Sequence, residues 1–394
     1  MKKIFYPKIK LAIDGNEANV SHRVGSNVWA YEILSQLHQL IDRPEQTPKF
    51  QVTVLLSQPP VKDMPLAKSN WRYQVIGPKP FWTQLALPYY LLNHKAEFDL
   101  FFTPGHYGPS FSPVPLVSSV MDLAFLRYPH QFKTSDQLKL ALWTKQTVKK
   151  AKKIITISQF SKLEVMRFYH RKRKEIAVAY PAVNERPRLN QAQKQAYLKK
   201  VKLADRPYLL YLGTIQPRKN LVRLIQAYEL LLKLLSAQGI KDKDRPLLVF
   251  AGKVGWLADE FLKTLEASPA KRKIKLLGFV KETEKHYLLD QALASVQVGL
   301  YEGFGIPVLE AYQFGTPVVV SNTSSLPEAA GQAGIYVNPT STKDIAEGLF
   351  TAVNLTWRKR QALKKLMQAQ LKRFSWQKSA QVVLETLIQV AQTN

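Results

Sequence analysis

Residues 301–322 read YEGFGIPVLEAYQFGTPVVVSN and combine a turn, a short helix and a buried strand. Gly303 and Gly305 indicate the turn, Pro307 suits the first turn of a helix, and Gly315 is expected to cap that helix. The apolar run at the end of the stretch predicts a strand that is covered on both faces. A helix leading into such a strand is typical of a parallel α/β sheet.

The same alternation of strands and helices runs through the chain. Short apolar runs rich in β-branched residues predict strands at 9–13, 51–56, 73–76, 98–102, 116–121, 153–157, 208–212, 246–251, 273–277, 295–299, 317–321 and 334–337. Helical spacing of apolar residues predicts helices that include 27–41, 219–235, 356–371 and 376–392. The fold class is therefore α/β with parallel sheets.

The pattern runs twice, and 394 residues are too many for one ordinary core. The boundary between the two domains is expected in the polar stretch 181–206, after which the first strand of the second domain begins. Two sheets in tandem predict an interdomain cleft, and ligands of parallel sheets bind beyond the carboxyl ends of the strands. Ligand-binding and catalytic residues are therefore expected in the loops that follow strands.

Composition excludes several classes of protein. A hydrophobic fraction of 46% is that of a globular chain, and the absence of cysteine excludes disulfides and thiolate metal sites. We expect neither a secretory signal nor a transmembrane helix, and so a cytoplasmic protein that is soluble or peripheral on the inner membrane face.

The formal net charge of +28 favours anionic partners, and part of it is concentrated in the basic segment 145–175. That segment is interpreted either as a solvated helix face with a basic loop or as a patch that meets an anionic membrane surface. Nucleic acid is disfavoured as a partner, because no recognition motif and no aromatic platform accompany the charge.

Two strand-end loops carry features that suit an anion. Gly25 precedes Ser26 and Asn27 at the start of a helix, where a glycine lets a ligand approach the backbone; either polar side chain is alternatively a plain N-cap. Arg218 and Lys219 stand where a later helix begins, although the helix dipole disfavours cations there. A bound diphosphate explains the pair, and surface charge is the alternative.

The two glutamates of the opening stretch lie on different elements, Glu302 on the loop and Glu310 within the helix. Each carboxylate can accept two hydrogen bonds from a pair of sugar hydroxyls, so the two can meet different parts of one ligand. The alternative makes Glu302 a solvated loop residue and Glu310 an acid that favours the helix dipole.

Together these motifs resemble those of the family 4 retaining glycosyltransferases, in which two glutamates stand eight positions apart. The matching segments are GFGIPVLEA with Glu302 and Glu310, FGTPVVVSNTSSLPEAAGQAGIYVNP (314–339), GTIQPRKN (213–220), ITISQFSK (155–162), YPAVN (180–184), MDLAFLRYP (121–129) and FSWQKSA (374–380). The resemblance implies the GT-B fold of two facing Rossmann-like domains with a cleft between them. It sets an acceptor-side domain at 1–183, a nucleotide-sugar domain at 184–375, and a last helix, about 376–394, that packs back on the first domain.

The resemblance also implies roles for individual residues. Arg218, Lys219 and Gly25 match residues near the donor diphosphate, and Glu302 matches the catalytic glutamate beside the transferred sugar. The backbone of Gly303, Phe304 and Gly305 matches a loop that holds sugar and phosphate, and Glu310 matches the residue that binds the ribose. No metal and no resident cofactor are expected.

One position departs from the family pattern. Many members have His-Asp after a strand of the first domain, where this chain has Met121-Asp122. Asp122 is predicted as a second catalytic residue that accepts a hydrogen bond from sugar or acceptor. His106, on the preceding strand-end loop, is either directed into the same cleft or a surface histidine.

The sequence thus predicts a retaining, mannosyltransferase-like enzyme of polysaccharide biosynthesis. It would move a hexosyl group from GDP- or UDP-hexose to a hydroxyl of a cell-surface or lipid-linked saccharide. The alternatives are an inactive sugar-nucleotide binder, which Met121 makes credible, a nucleic-acid-binding protein, and a phosphorylase or epimerase with similar domains.

Overall fold

The computed structural model describes residues 8–393, which form two compact units. The first unit contains the chain up to Arg127, then Thr134–Pro181 and the residues from Phe374 onward. The second contains Tyr128–Lys133 and Ala182–Arg373. The polar stretch 181–206 is not a continuous linker, because a helix forms at Gln191–Lys200 within it.

The strands within the described range are numbered in chain order. They are β1 (Ile9–Asp14), β2 (Phe50–Leu56), β3 (Trp71–Val75), β4 (Leu100–Thr103), β5 (Leu116–Val120), β6 (Lys153–Thr156), β7 (Ile176–Val178), β8 (Tyr208–Leu212), β9 (Leu247–Ala251), β10 (Ile274–Gly278), β11 (Ala294–Gln297), β12 (Val318–Ser321) and β13 (Gly334–Val337).

The α-helices are numbered in the same way. They are α1 (Ser26–Leu40), α2 (Ala86–Asn93), α3 (Ala124–Arg127), α4 (Thr134–Lys150), α5 (Gln159–Tyr169), α6 (Gln191–Lys200), α7 (Leu221–Ala237), α8 (Asp259–Ala267), α9 (Glu282–Gln291), α10 (Ile306–Gln313), α11 (Leu326–Ala330), α12 (Thr342–Val353), α13 (Trp357–Leu371) and α14 (Trp376–Gln392).

The first unit is built on a seven-stranded parallel sheet with the order β3-β2-β1-β4-β5-β6-β7. The order of the strands reverses between β1 and β4, which makes that point the natural ligand crevice of the sheet. The last helix, α14, belongs to this unit and packs against α1, and its buried residues include Val383 and Leu387. The Ser379 hydroxyl donates a hydrogen bond to the Tyr180 carbonyl and holds the start of α14 in place.

The second unit is built on a six-stranded parallel sheet with the order β10-β9-β8-β11-β12-β13. Its order reverses between β8 and β11. The leucine-rich helix α7 lies beside α12 on one face, where Leu224, Tyr228, Leu231 and Leu349 are buried with the apolar side chains of the strands. These contacts remove from water the apolar surface that drives folding of the unit.

The predicted fold class, α/β with parallel sheets, is confirmed, and every predicted strand is present within one or two residues of its expected ends. One strand was missed, the three-residue edge strand β7, in which only Ile176 is fully buried. It gave no signal because it follows a run of charged residues and is too short to show alternation. The opening stretch folds as expected: Pro307 lies in the first turn of α10, and Gly315, with φ of 70°, follows Phe314 at its end.

Gly348 provides a test of how α12 packs on the sheet. A Cβ atom at this position would lie 2.3 Å from Val337 Cγ1 and 3.2 Å from Val319 Cγ1. We expect Gly348→Ala to lower the free energy of unfolding by about 1–3 kcal/mol through overpacking, although alanine is the better helix former. Urea titration would show this loss, and Val337→Ala in the same chain should recover part of it. Stabilisation by Gly348→Ala alone would contradict this packing.

Candidate functional site

Two cations follow the central strand β8 of the second unit. Arg218 and Lys219 lie in a 3-10 turn, Pro217–Lys219, and α7 begins two residues later at Leu221. The prediction placed them at the helix start, whereas the structure places them just before it. Asn220 separates turn from helix with a left-handed backbone, φ of 61°.

The carboxylate of Glu302, on the loop after β11, contacts both cations. Its Oε2 atom lies 3.3 Å from Arg218 Nη1, and Oε1 accepts a hydrogen bond from Lys219 Nζ. Glu302 is only 9% exposed, so the interpretation as a solvated loop residue is wrong. The Ser325 hydroxyl donates to its main-chain carbonyl at 2.7 Å, and its own N–H donates to Ser324 Oγ at 3.2 Å.

The electrostatics of Glu302 follow from this pairing. Burial alone opposes ionisation of the carboxyl, but the charges of Lys219 and Arg218 and their hydrogen bonds outweigh it, and the pKa of Glu302 falls below its usual value. Glu302 is therefore a buried carboxylate at neutral pH. Burial, and to a smaller extent the charge of Glu302, raises the pKa of the nearby Tyr211 phenol.

Asn220 is a positioning residue to which the sequence reasoning gave no role. Its buried side-chain amide donates to the carbonyls of Val298, at 3.0 Å, and Pro339, at 2.7 Å. The loops after β8, β11 and β13 are thus joined at one point. The available signal was an asparagine between a cationic pair and a helix, a position at which asparagine tolerates a left-handed backbone.

Glu310 lies within α10 and has a different cationic partner. Its Oε1 atom is 2.6 Å from Lys285 Nζ, which also lies 2.7 Å from Glu282. Burial alone would lower the pKa of Lys285, but the charges of Glu310 and Glu282 outweigh it and raise that pKa. The two glutamates therefore have separate surroundings, as their placement on loop and helix predicted.

The loop between them, Gly303–Gly305, is buried. The Phe304 side chain is 2% exposed, so this residue meets a ligand through its backbone if at all. Gly305 has φ of 104°, and a Cβ atom there would lie 2.8 Å from Leu326 Cδ2. Only glycine fits this position without strain.

In the first unit, Gly25 precedes α1 with φ of 54° and is exposed. The interpretation of Ser26 or Asn27 as an N-cap is wrong, because neither side chain caps the helix. Both instead donate to Glu17 Oε1, at 2.5 Å from Ser26 Oγ and 3.0 Å from Asn27 Nδ2. The loop between β1 and α1 is thus held in place by the carboxylate of Glu17, which belongs to the same loop.

Met121 and Asp122 follow β5 of the same unit. Met121 is buried, and its carbonyl accepts a hydrogen bond from Ser161 Oγ at 2.9 Å. Asp122 Oδ1 accepts from the Ala124 N–H at 3.0 Å, which starts the short helix α3.

His106 is partly buried. Its Nε2 atom is buried without a hydrogen-bond partner, and its ring packs edge-on against Phe125 with centroids 5.4 Å apart. Burial lowers the pKa of His106, and the charge of Asp122 opposes this only in part.

Asp14 was missed by the sequence reasoning. It ends β1, at the point where the strand order of the first sheet reverses, and is 6% exposed. Burial raises its pKa to about 7, although the Asn16 N–H, at 3.0 Å, favours the ionised form, and Glu17 adds a like charge. An acid at the end of a central strand was the signal that could have identified it.

Residues 8–393 lack two features that would point to other functions. No three histidine, aspartate or glutamate side chains there lie together as a metal ion would need. No helix in this range is long and apolar enough to cross a membrane. Independence from metal remains a prediction.

The second unit is also similar in sequence to known proteins. The model of the glycosyl transferases group 1 family matches residues 193–386, which include Arg218, Lys219, Glu302 and Glu310. Through residues 193–386, about half of its length, the chain is related to the group 1 glycosyltransferases.

Among curated relatives, O-antigen chain mannosyltransferase B of Escherichia coli is 34% identical over 235 residues, 59% of this chain and 59% of that protein. O-antigen chain mannosyltransferase RfbU of Salmonella typhimurium is 26% identical over 225 residues, 57% of each chain. The matched region thus spans less than two thirds of the length of these relatives.

The fold is also that of a solved structure, Anabaena HepE in complex with UDP and glucose. The TM-score is 0.71 at 17% identity, over 97% of this chain and 100% of that one. At this identity the likeness shows the fold alone, which is GT-B-like.

Asp14 generates a prediction about pH. A carboxyl whose pKa is raised from 3.8 to about 7 favours the protonated folded state, so its contribution is fully present below pH 3.8 and is lost as the pH rises through 7. We expect the free energy of unfolding to fall between these values by up to about 1.4 kcal/mol per pH unit, and Asp14→Asn to flatten that slope. Urea titrations across this range measure it. The exposed Asp136→Asn is the control, and equal slopes in all three proteins would refute the assignment.

Proposed function

We propose that the protein is a retaining hexosyltransferase that moves a sugar from a nucleoside diphosphate to a saccharide hydroxyl. The observation that carries the proposal is the cluster of the half-buried Arg218 and Lys219 with the buried Glu302 at the carboxyl edge of the second sheet. An arginine and a lysine fixed side by side can neutralise the diphosphate that leaves when the sugar is transferred. Glu302 contacts both and can accept hydrogen bonds from the sugar.

The proposed donor is GDP- or UDP-hexose. Mannosyl transfer is favoured because the matched relatives are O-antigen chain mannosyltransferases. UDP is retained as a candidate nucleotide of the donor because the HepE structure contains it. Glu310 is proposed to hold the ribose hydroxyls, since Lys285 fixes its carboxylate and leaves further lone pairs to accept hydrogen bonds. In this proposal the cations perform the electrostatic task of a metal.

The proposed acceptor is a cell-surface or lipid-linked saccharide, and the proposed place of action is the cytoplasm, at the inner face of the membrane. In the first unit, Gly25 is proposed to approach the diphosphate and Asp122 to accept a hydrogen bond from sugar or acceptor. The basic segment 145–175 is proposed to favour an anionic membrane surface.

Nucleotide binding tests the donor site. Thermal unfolding with GDP, UDP, ADP or dTDP, in EDTA, should show stabilisation by one nucleotide, about 2.7 kcal/mol at one hundred times its Kd. Lys219→Met should weaken the shift strongly because it removes a phosphate partner, and Glu310→Gln should weaken it by removing a charged acceptor. The controls are Lys343→Met and Glu347→Gln, two exposed residues of α12 in the same unit. Equal shifts in Lys219→Met and Lys343→Met would refute the phosphate role.

Turnover tests the catalytic role of Glu302. With the nucleotide sugar that the binding assay selects, Glu302→Gln should lower kcat by roughly 10²–10³-fold, because a charge that acts on the transition state is removed. Retained nucleotide binding would show that the variant is folded. Unchanged turnover would contradict the role of Glu302.

Two outcomes would select the alternatives. Donor binding without turnover on any saccharide tested would favour an inactive sugar-nucleotide binder. Salt-sensitive binding to DNA or RNA that survives Glu302→Gln, without any nucleotide shift, would favour a nucleic-acid-binding protein.

A further inference from the structure

A cavity at the opposite edge of the second sheet has no role in the proposed transfer. It has a volume of about 340 Å³ and lies where the strands begin, because Leu247 is the first residue of β9 and Lys273 comes directly before β10. Arg206, two residues before β8, also lines it. These strands are parallel neighbours, so their amino ends lie along one edge of the sheet. The cluster around Glu302 follows the carboxyl ends and is therefore a separate place.

The charged side chains that line this cavity are mostly cations. They are Arg206, Arg272 and Lys273, and the one carboxylate beside them is that of Asp242. Three positive charges and one negative charge leave an excess of two positive charges. Because like charges gathered in a concave site raise the local potential, the cavity attracts an anion.

The carboxylate of Asp242 is already paired with other cations. Lys273 Nζ lies 2.7 Å from Asp242 Oδ2 and donates to the main-chain carbonyl of the same residue at 3.1 Å. Arg245 Nη1 lies 3.7 Å from Asp242 Oδ1. The hydrogen bond from Lys273 is the main cause of the lowered pKa of Asp242, and the charges of Arg245 and Arg206 add to it. Asp242 therefore has little capacity left to neutralise the two arginines of the cavity.

Arg206 shows most clearly that a partner is missing. Its Nε atom is buried without a hydrogen bond, and within residues 8–393 neither Arg206 nor Arg272 forms an ion pair through its side chain. Burial and the like charges of Lys202 and Arg206 lower the pKa of Lys275, which shows how closely cations are gathered here. A buried charged donor without an acceptor costs more free energy than a neutral one, and an anion in the cavity would remove that cost.

The wall of the cavity is apolar and fixed by the core of the unit. Leu232, from α7, and Leu247 supply apolar surface. The buried hydroxyl of Tyr228, on the same helix, donates to the Pro246 carbonyl at 2.7 Å and lies 3.4 Å from the Lys273 carbonyl. The helix is thus joined to the segments that lead into β9 and β10. A preformed apolar wall with a few polar groups is typical of a site for a small molecule.

We propose that this cavity binds a small phosphate monoester, with its phosphate on Arg206 and Arg272 and its carbon skeleton against the apolar wall. Near pH 7 such a phosphate carries about two negative charges, which matches the excess of positive charge in the cavity. Guanidinium groups suit it because each can donate two parallel hydrogen bonds to phosphate oxygens. The proposal goes beyond the transfer reaction and does not depend on it.

The test is isothermal titration calorimetry of the full chain with glucose 6-phosphate, inorganic phosphate and, as the uncharged match, glucose. The titrations are made on the wild type and on Lys219→Met, in which the proposed donor site has lost a phosphate partner. Glucose 6-phosphate should bind both proteins. Inorganic phosphate should bind more weakly, because it leaves the apolar wall uncovered, and glucose should not bind.

Removal of the arginines tests the assignment of the phosphate. Arg206→Gln and Arg272→Gln should each raise the Kd for glucose 6-phosphate roughly tenfold or more, because each removes charge-assisted hydrogen bonds. Arg272 is exposed, so its variant keeps the test valid if Arg206→Gln impairs folding. The matched control is Arg358→Gln, an exposed arginine of α13 in the same unit, which should bind like the wild type.

Removal of the carboxylate should have the opposite effect. Asp242→Asn takes away a negative charge and frees Lys273 to contact the phosphate, so we expect the Kd for glucose 6-phosphate to fall severalfold. The control is Asp259→Asn, an exposed acid of α8, which should leave the Kd unchanged. A weaker affinity in Asp242→Asn would contradict the charge balance on which the proposal rests.

Three further outcomes would overturn the proposal. The first is no binding of glucose 6-phosphate or inorganic phosphate to either protein. The second is loss of all binding in Lys219→Met with unchanged affinity in Arg272→Gln, which would assign the phosphate to the donor site. The third is an equal loss in Arg272→Gln and Arg358→Gln, which would indicate diffuse attraction to a basic chain. The nucleotide-induced thermal shift should persist in Arg272→Gln, so failure here is distinguishable from failure of the donor site.

Discussion

The pairing of Arg218 and Lys219 with the buried carboxylate of Glu302 is the interaction on which the candidate site depends. Two cations next to one another on a short turn repel each other and lose hydration as they are buried. One carboxylate that contacts both offsets these costs, and their charges in turn keep that carboxylate ionised. The loops after β8 and β11 are held together as a result, and Asn220 adds the loop after β13.

The position of this cluster follows from the topology of the sheet. β8 and β11 are neighbours at which the strand order of the second sheet reverses, so the connections leave in opposite directions and open a crevice at the carboxyl edge. Arg218 and Lys219 come after one of these strands and Glu302 after the other. Gly305 lets the main chain of the second loop pack closely against Leu326, since a Cβ atom at this position would collide with that side chain.

In the first unit, burial favours the neutral forms of titratable side chains rather than their ionised forms. At the reversal point of its sheet, between β1 and β4, burial favours a neutral Asp14, and on the loop after β4 it favours a neutral His106. The outer surface at α4 instead presents lysines and leucines to solvent. The cations of this basic chain thus include some that donate to local carbonyls, some that pair with carboxylates, and some that are exposed on α4.

The sequence by itself determined what depends on neighbours along the chain. Apolar runs and glycine and proline positions were enough for the strands, for α10 and for the separation of Glu302 from Glu310, because backbone preference and periodicity are local. Only the tertiary structure decided which charges meet and which are buried. The pairing of Lys219 with Glu302 joins residues 83 positions apart, and Asn220 reaches Pro339 across 119. Burial of Asp14 and exposure of Leu85 likewise depend on what the rest of the chain packs against them, which no local pattern records.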